Sequence, residues 1–132
     1  MKLEFLDDIS DGGKFSGIVT DKLIRLFDFD TKEAKELINQ IEDKIIKKGE
    51  KLIVNDLFFI ASLNCTLCLN LAEIDTGITT QNNYNFDCNL TKEAYQDMIK
   101  FIEPFSEDLG GYQWLCDSDS DIEFLLSPNG GW

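Results

Sequence analysis

The sequence predicts an α+β fold: an antiparallel or mixed sheet with two amphipathic helices, about 31–48 and 91–106, packed on one face. Three observations predict it. Apolar residues recur at three- and four-residue spacing in those two segments, the period of a helix with one buried face. Around them lie short alternating or apolar segments separated by turn residues, the pattern of strands joined in runs. No repeat, low-complexity tract or Pro/Gly linker divides the 132 residues, so one domain over 1–132 is expected.

Lys2 to Leu6 alternates as a first strand. Asp7 to Gly17 holds paired glycines, Ser and several Asp, and reads as a loop. Lys22 to Phe29 is apolar enough for a second strand. Asp30 with Glu33 then fits a D-x-x-E capping box. Behind it Ala34, Leu37, Ile38, Ile41 and Ile45 share one helical face. Lys44, Lys47 and Lys48 suit the negative end of the helix dipole, and Gly49 is a stop signal.

Lys51–Val54 and Leu57–Ser62 are short strand candidates. Leu63 to Glu73 places Leu63, Cys65, Leu67, Leu69 and Leu71 on one face, with Asn64, Thr66, Cys68 and Asn70 on the other. That is a half-buried strand. Asp75-Thr76-Gly77 and Gln81-Asn82-Asn83 are turns flanking a brief pairing at 78–80, and Tyr84 to Asn89 alternates again. Thr91 is a candidate helix N-cap, and Leu90 with Tyr95 fits a hydrophobic staple. Ala94, Tyr95, Met98, Ile99, Ile102 and Phe105 form the second apolar stripe, which Pro104 helps to end. Tyr112–Cys116 and Ile122–Ser127 read as a closing hairpin.

The charge excludes more than it identifies. Acids number 25 and bases 12, with no His, for a formal net charge of −13. Such a surface repels phosphate backbones, so no nucleic-acid partner is expected. It also disfavours anionic membrane surfaces, and no apolar run reaches the roughly 20 residues of a bilayer span. The acidic start Met1–Asp8 lacks the features of a secretory signal, so a cytoplasmic location is expected. Without His, Ser-His-Asp, Cys-His and His-ligated metal chemistry is ruled out.

The remaining motifs are short of what chemistry needs. Cys65 and Cys68 match C-x-x-C, but Cys88 and Cys116 are isolated, and a structural zinc site needs a second close pair. On a strand the two would face opposite ways and serve as small buried or half-buried residues. Asp117, Asp119, Asp121 and Glu123 resemble the start of a calcium loop. The required Gly and Glu positions hold Ile122 and Pro128, so a solvated acidic turn is expected instead. Asp7, Asp8 and Asp11 beside Gly12-Gly13 form a second acidic group, and Gly12-Gly13-Lys14 lacks phosphate-loop spacing. Arg25, the sole arginine, is expected to pair with Asp28, Asp30 or another acid. Neither a metal nor a cofactor is expected.

Charge is unevenly spread. Residues 1–51 hold 12 acids and 10 bases, whereas 101–132 hold seven acids and no base. Among those acids lie Phe101, Phe105, Tyr112, Trp114, Phe124 and Trp132. Acids steer a basic partner and aromatics supply desolvated anchors. The bland alternative is aromatic core with solvated flanks. Both can hold, with Trp114 and Phe124 in the core and Tyr112 and Trp132 nearer the surface. The candidate partner-binding residues are Glu107, Asp108, Tyr112, Asp117, Asp119, Asp121 and Trp132.

The stretch Gly111-Tyr-Gln-Trp-Leu115 through Ile122-Glu-Phe-Leu-Leu-Ser-Pro-Asn-Gly-Gly-Trp132 resembles the closing hairpin of small acidic immunity proteins of bacterial polymorphic-toxin and contact-dependent inhibition systems. It covers about 20 residues. The resemblance implies an inhibitor that covers the active site of a basic partner such as a nuclease toxin, without being an enzyme itself. The alternatives are a structural or regulatory domain, or a carboxylate-based metal-dependent enzyme.

Overall fold

In the computed structural model, residues 1–7, 22–117 and 120–132 are described. The acidic group at Asp8 and Asp11, the glycines beside it, and Asp119 lie outside them. The chain order is β1 (Lys2–Leu6), β2 (Lys22–Phe27), α1 (Thr31–Ile41), β3 (Leu52–Ile53), β4 (Ala61–Ser62), β5 (Thr66–Leu71), β6 (Gly77–Thr80), β7 (Asn85–Leu90), α2 (Lys92–Ile102), β8 (Gln113–Trp114) and β9 (Ile122–Ser127). The class is α+β, with both helices packed against sheet.

The strands divide between two mixed sheets, ordered β4-β1-β2-β9-β8 and β3-β5-β7-β6. Short turns favour antiparallel neighbours, as in the β6–β7 hairpin; β1–β2, β3–β5 and β8–β9 are antiparallel as well. Three pairs are parallel: β1–β4, β2–β9 and β5–β7. The reason lies in the connections. The β6–β7 hairpin docks with β7 innermost, which aligns β7 with β5. The last strand, β9, returns to pair with β2 over six residues from Lys22↔Ile122 to Phe27↔Ser127. The hydroxyl of Ser120, just before β9, donates to the Ile78 carbonyl of β6, a link between the sheets.

Both helices start as their caps require. Asp30 accepts from the Glu33 amide at 2.8 Å while Glu33 accepts from the Asp30 amide at 3.1 Å, a complete capping box. The first helix continues past α1 through a π-helical turn, Glu42–Lys47, and ends at Gly49, whose φ is +66°. Glycine suits that left-handed position. Thr91 caps α2 through its hydroxyl, which accepts from Ala94 at 3.2 Å. Regular α bonding stops at Ile102, and Pro104 opens a 3₁₀ turn over Glu103–Ser106. A proline cannot donate the bond that another α turn would need.

Helical stripes and strand faces meet in one apolar cluster. It contains Leu37, Ile41 and Ile45 from the first helix, Tyr95, Met98 and Ile102 from the second, and residues of both sheets. Of the predicted β5 face, Cys65, Leu67 and Leu69 are buried, whereas Leu63 and Leu71 at its ends are exposed. Phe124 is core, at 1% exposure. Trp114 is half-buried and packs instead on Leu23 and Leu125, across the sheet from the main cluster.

Candidate functional site

Tyr95 anchors the second helix over the carboxyl ends of β5 and β7. Its ring is fully buried. Its hydroxyl lies 2.8 Å from the carbonyl oxygens of both Asn70 and Cys88, and with one proton it donates to one at a time. Burial, aided by the nearby Cys88 thiol, pushes the phenol well above its ordinary pKa, so it stays a neutral donor. Asp75, in the turn after β5, accepts from the Thr91 amide at 2.7 Å and is held at the start of α2.

This placement opens a groove of about 280 Å³ between the 75 turn, α2 and the segment after β8. Asp75, Glu93, Asp97 and Asp117 line it, with Phe101 and Leu115 as its apolar part. No lysine or arginine is among its lining residues. Glu93, Asp97 and Phe101 stand at i, i+4 and i+8, which is one stripe along a helix. Lys92 and Lys100 stand one position behind Glu93 and Phe101, turned about 100° away on a helix of 3.6 residues per turn. Counting charge along 92–100 therefore hides a separation that the helix creates. Asp75, Glu93, Asp97 and Phe101 were missing from the sequence-derived site, and the i, i+4, i+8 spacing was the signal available. Phe101 is 39% exposed.

The predicted site residues do not gather at one place. Asp117 lies in the groove wall. Asp121, exposed, precedes β9 at the same end. Glu123 is close by, and burial followed by the Asp117 charge raises its carboxyl above the ordinary 4.5. Tyr112 and Trp132 are exposed at the opposite end of β9, because Gln113 pairs with Leu126 and the tail follows Ser127. The six residues of β9 span about 17 Å. Glu107 and Asp108, both exposed, follow the 3₁₀ turn, whose Phe105 ring meets Phe29 just ahead of α1. Asp119 falls outside the described residues.

Two further regions stand out on the surface. A larger hollow of about 630 Å³ lies between the end of the first helix and residues 51–57. Its charges are mixed, and Lys44 reaches Glu50 at 3.8 Å, so it selects no charge sign. Phe58 is 89% exposed and sits edge-on to Phe59, and neither ring is among the residues lining the acidic groove.

Arg25 has a structural assignment. Its guanidinium donates to Glu4 from two nitrogens and to the Gly130 carbonyl at 2.6 Å, and lies 4.1 Å over the Phe27 ring. The acid it pairs with is Glu4 on the neighbouring strand, rather than Asp28 or Asp30. Cys65 is buried and burial pushes its thiol up to about 11, while Cys68 is half-buried on the other face. Thiols so shielded are poor nucleophiles and poor metal ligands. Among the described residues, no group of three or more Cys, Asp or Glu converges as a metal site would. No helix among them is long and apolar enough to cross a membrane. No family model matches the chain, and no curated protein matches it.

Proposed function

We propose that this protein is a non-enzymatic binding domain, an acidic inhibitor of the immunity type that neutralises a basic partner such as a nuclease toxin. The groove between the 75 turn, α2 and Asp117 carries the reading. Four carboxylates line it without a lining cation, next to a partly exposed phenylalanine. Like charges held together cost stability, and an opposite charge supplied by a partner recovers that cost. A lysine or arginine side chain would meet carboxylates at its head and the Phe101 ring along its stem. Asp121 extends the negative field beside the groove.

The test is association with purified basic nuclease toxin domains at low salt. Charge reversal at Asp97 or Asp117 should slow the on-rate by about tenfold while leaving the melting temperature unchanged or higher. Reversal at Glu107 or Asp108, at the other end of the molecule, should change it less. Equal effects at both ends would make the field general rather than local. Failure to bind any basic domain would favour a structural or regulatory role.

A further inference from the structure

An asparagine followed by glycine loses its side-chain amide most readily, because glycine has no side chain to hinder its own nitrogen. Of the nine asparagines in the chain, Asn129 alone precedes a glycine. It is exposed and stands third in the turn Ser127-Pro128-Asn129-Gly130, which the Gly130 amide closes by donating to the Ser127 carbonyl at 3.0 Å. Proline second and glycine fourth suit such a turn. The turn is held from both sides of Asn129. Before it, the Asp28 amide donates to the Pro128 carbonyl at 3.0 Å. After it, Arg25 donates to the Gly130 carbonyl at 2.6 Å, and the Ser127 hydroxyl to the Gly131 carbonyl at 2.7 Å. Gly130 itself is buried.

We propose that Asn129 is a site of spontaneous deamidation, governed by the Arg25 latch, and that its isoaspartyl product releases the C-terminal tail from β2. Hydroxide takes the Gly130 amide proton. The Gly130 nitrogen attacks Cγ of Asn129, a new N–C bond forms, the Cγ–Nδ2 bond breaks, and ammonia leaves with a proton from water. Water then opens the resulting cyclic imide at one carbonyl or the other, giving aspartate or isoaspartate. In sum, one amide and one water give one carboxylic acid and one ammonia, with no oxidation. While the turn is closed, the attacking nitrogen is buried and its proton is tied to Ser127. Attack therefore waits for a local opening, which the Arg25 and Ser127 bonds oppose. Isoaspartate routes the main chain through the side-chain carbon and adds a methylene to it. Pro128 and Gly130, on either side of that addition, are both bonded to the β2 segment, at Asp28 and Arg25. A longer link between them cannot keep both bonds. None of this depends on the acidic groove.

The experiment is incubation of the intact chain in warm, mildly alkaline buffer, followed by peptide mass mapping. The mass change of NH2 becoming OH should appear first at Asn129, with isoaspartate in excess over aspartate. Asn129→Gln should remove it, because the larger ring closes far more slowly. Arg25→Lys keeps a positive charge facing Glu4 but gives up part of the latch. It should speed the reaction about tenfold, with hydrogen exchange of the β2–β9 amides unchanged. The two products, separated by ion exchange, test the release without any variant. The isoaspartyl form should melt about 5 °C below the parent, and the aspartyl form close to it. Amide loss first at another asparagine would overturn the proposal. So would equal rates in the parent and Arg25→Lys, or an isoaspartyl form that melts with the parent.

Discussion

Acidic side chains meet two different fates at the two ends of this molecule. At the Arg25 end, Glu4 is matched: both residues are about one-fifth exposed, and the arginine also holds Gly130 and lies on Phe27. At the groove end, Asp75, Glu93, Asp97 and Asp117 face a shared space without a lining base. The matched acid holds Arg25, and Arg25 fastens the C-terminal tail to β2. The unmatched acids add repulsion that the fold tolerates. The acids of this chain thus do two things: those paired with a base are structural, and part of the excess that makes the net charge −13 lines a surface that a basic partner could complete.

Breaking the matched end should have the largest effect. Arg25→Met should cost about 2–3 kcal/mol in denaturant unfolding, because it strands the Glu4 carboxylate and the Gly130 carbonyl. Gly130→Ala acts on the same contact. Its φ is +79°, and an added Cβ would stand 2.7 Å from an Arg25 nitrogen. A loss of about 1–2 kcal/mol is expected, smaller in the Arg25→Met background, where that collision is relieved. Tyr95→Phe, which removes the hydroxyl placing α2 beside the groove, should cost about 1–2 kcal/mol by the same measurement.

At the unmatched end the sign reverses. Asp97→Asn removes a like-charge i, i+4 pair with Glu93 and should stabilise by about 0.2–0.5 kcal/mol at low salt, a gain that fades as salt is added. Glu123→Gln sharpens the contrast through pH. The folded carboxyl has a raised pKa, so its ionised form is disfavoured by folding. The substitution should therefore raise the melting temperature at neutral pH. The gain should shrink as acidification protonates Glu123 in the parent protein. A gain that grew on acidification would contradict the burial of that carboxyl.

Much of the fold was legible because local chemistry dictated it. Asp30 with Glu33, Thr91 with Ala94, and Gly49 mark helix ends through backbone groups that need partners close in sequence. The alternation through Cys65, Leu67 and Leu69 exposed the β5 core face for a similar reason. The division into two sheets was not legible, since the β2–β9 and β5–β7 pairings depend on docking between distant segments. The candidate site was half legible. Asp117 and the acidic bias of 101–132 pointed toward the groove, but Asp75 joins it only through its bond to the Thr91 amide. Tyr112 and Trp132 are exposed, as expected, yet β9 carries them to the other end.

The most direct test of a basic-partner groove is an amide NMR map of the protein titrated with an arginine-rich peptide at low salt. Shifts should concentrate at Asp75, Glu93, Asp97, Phe101 and Asp117, and be lost in Asp97→Lys. Shifts of equal size around Glu107, Tyr112 and Trp132, or a map unchanged by Asp97→Lys, would contradict it.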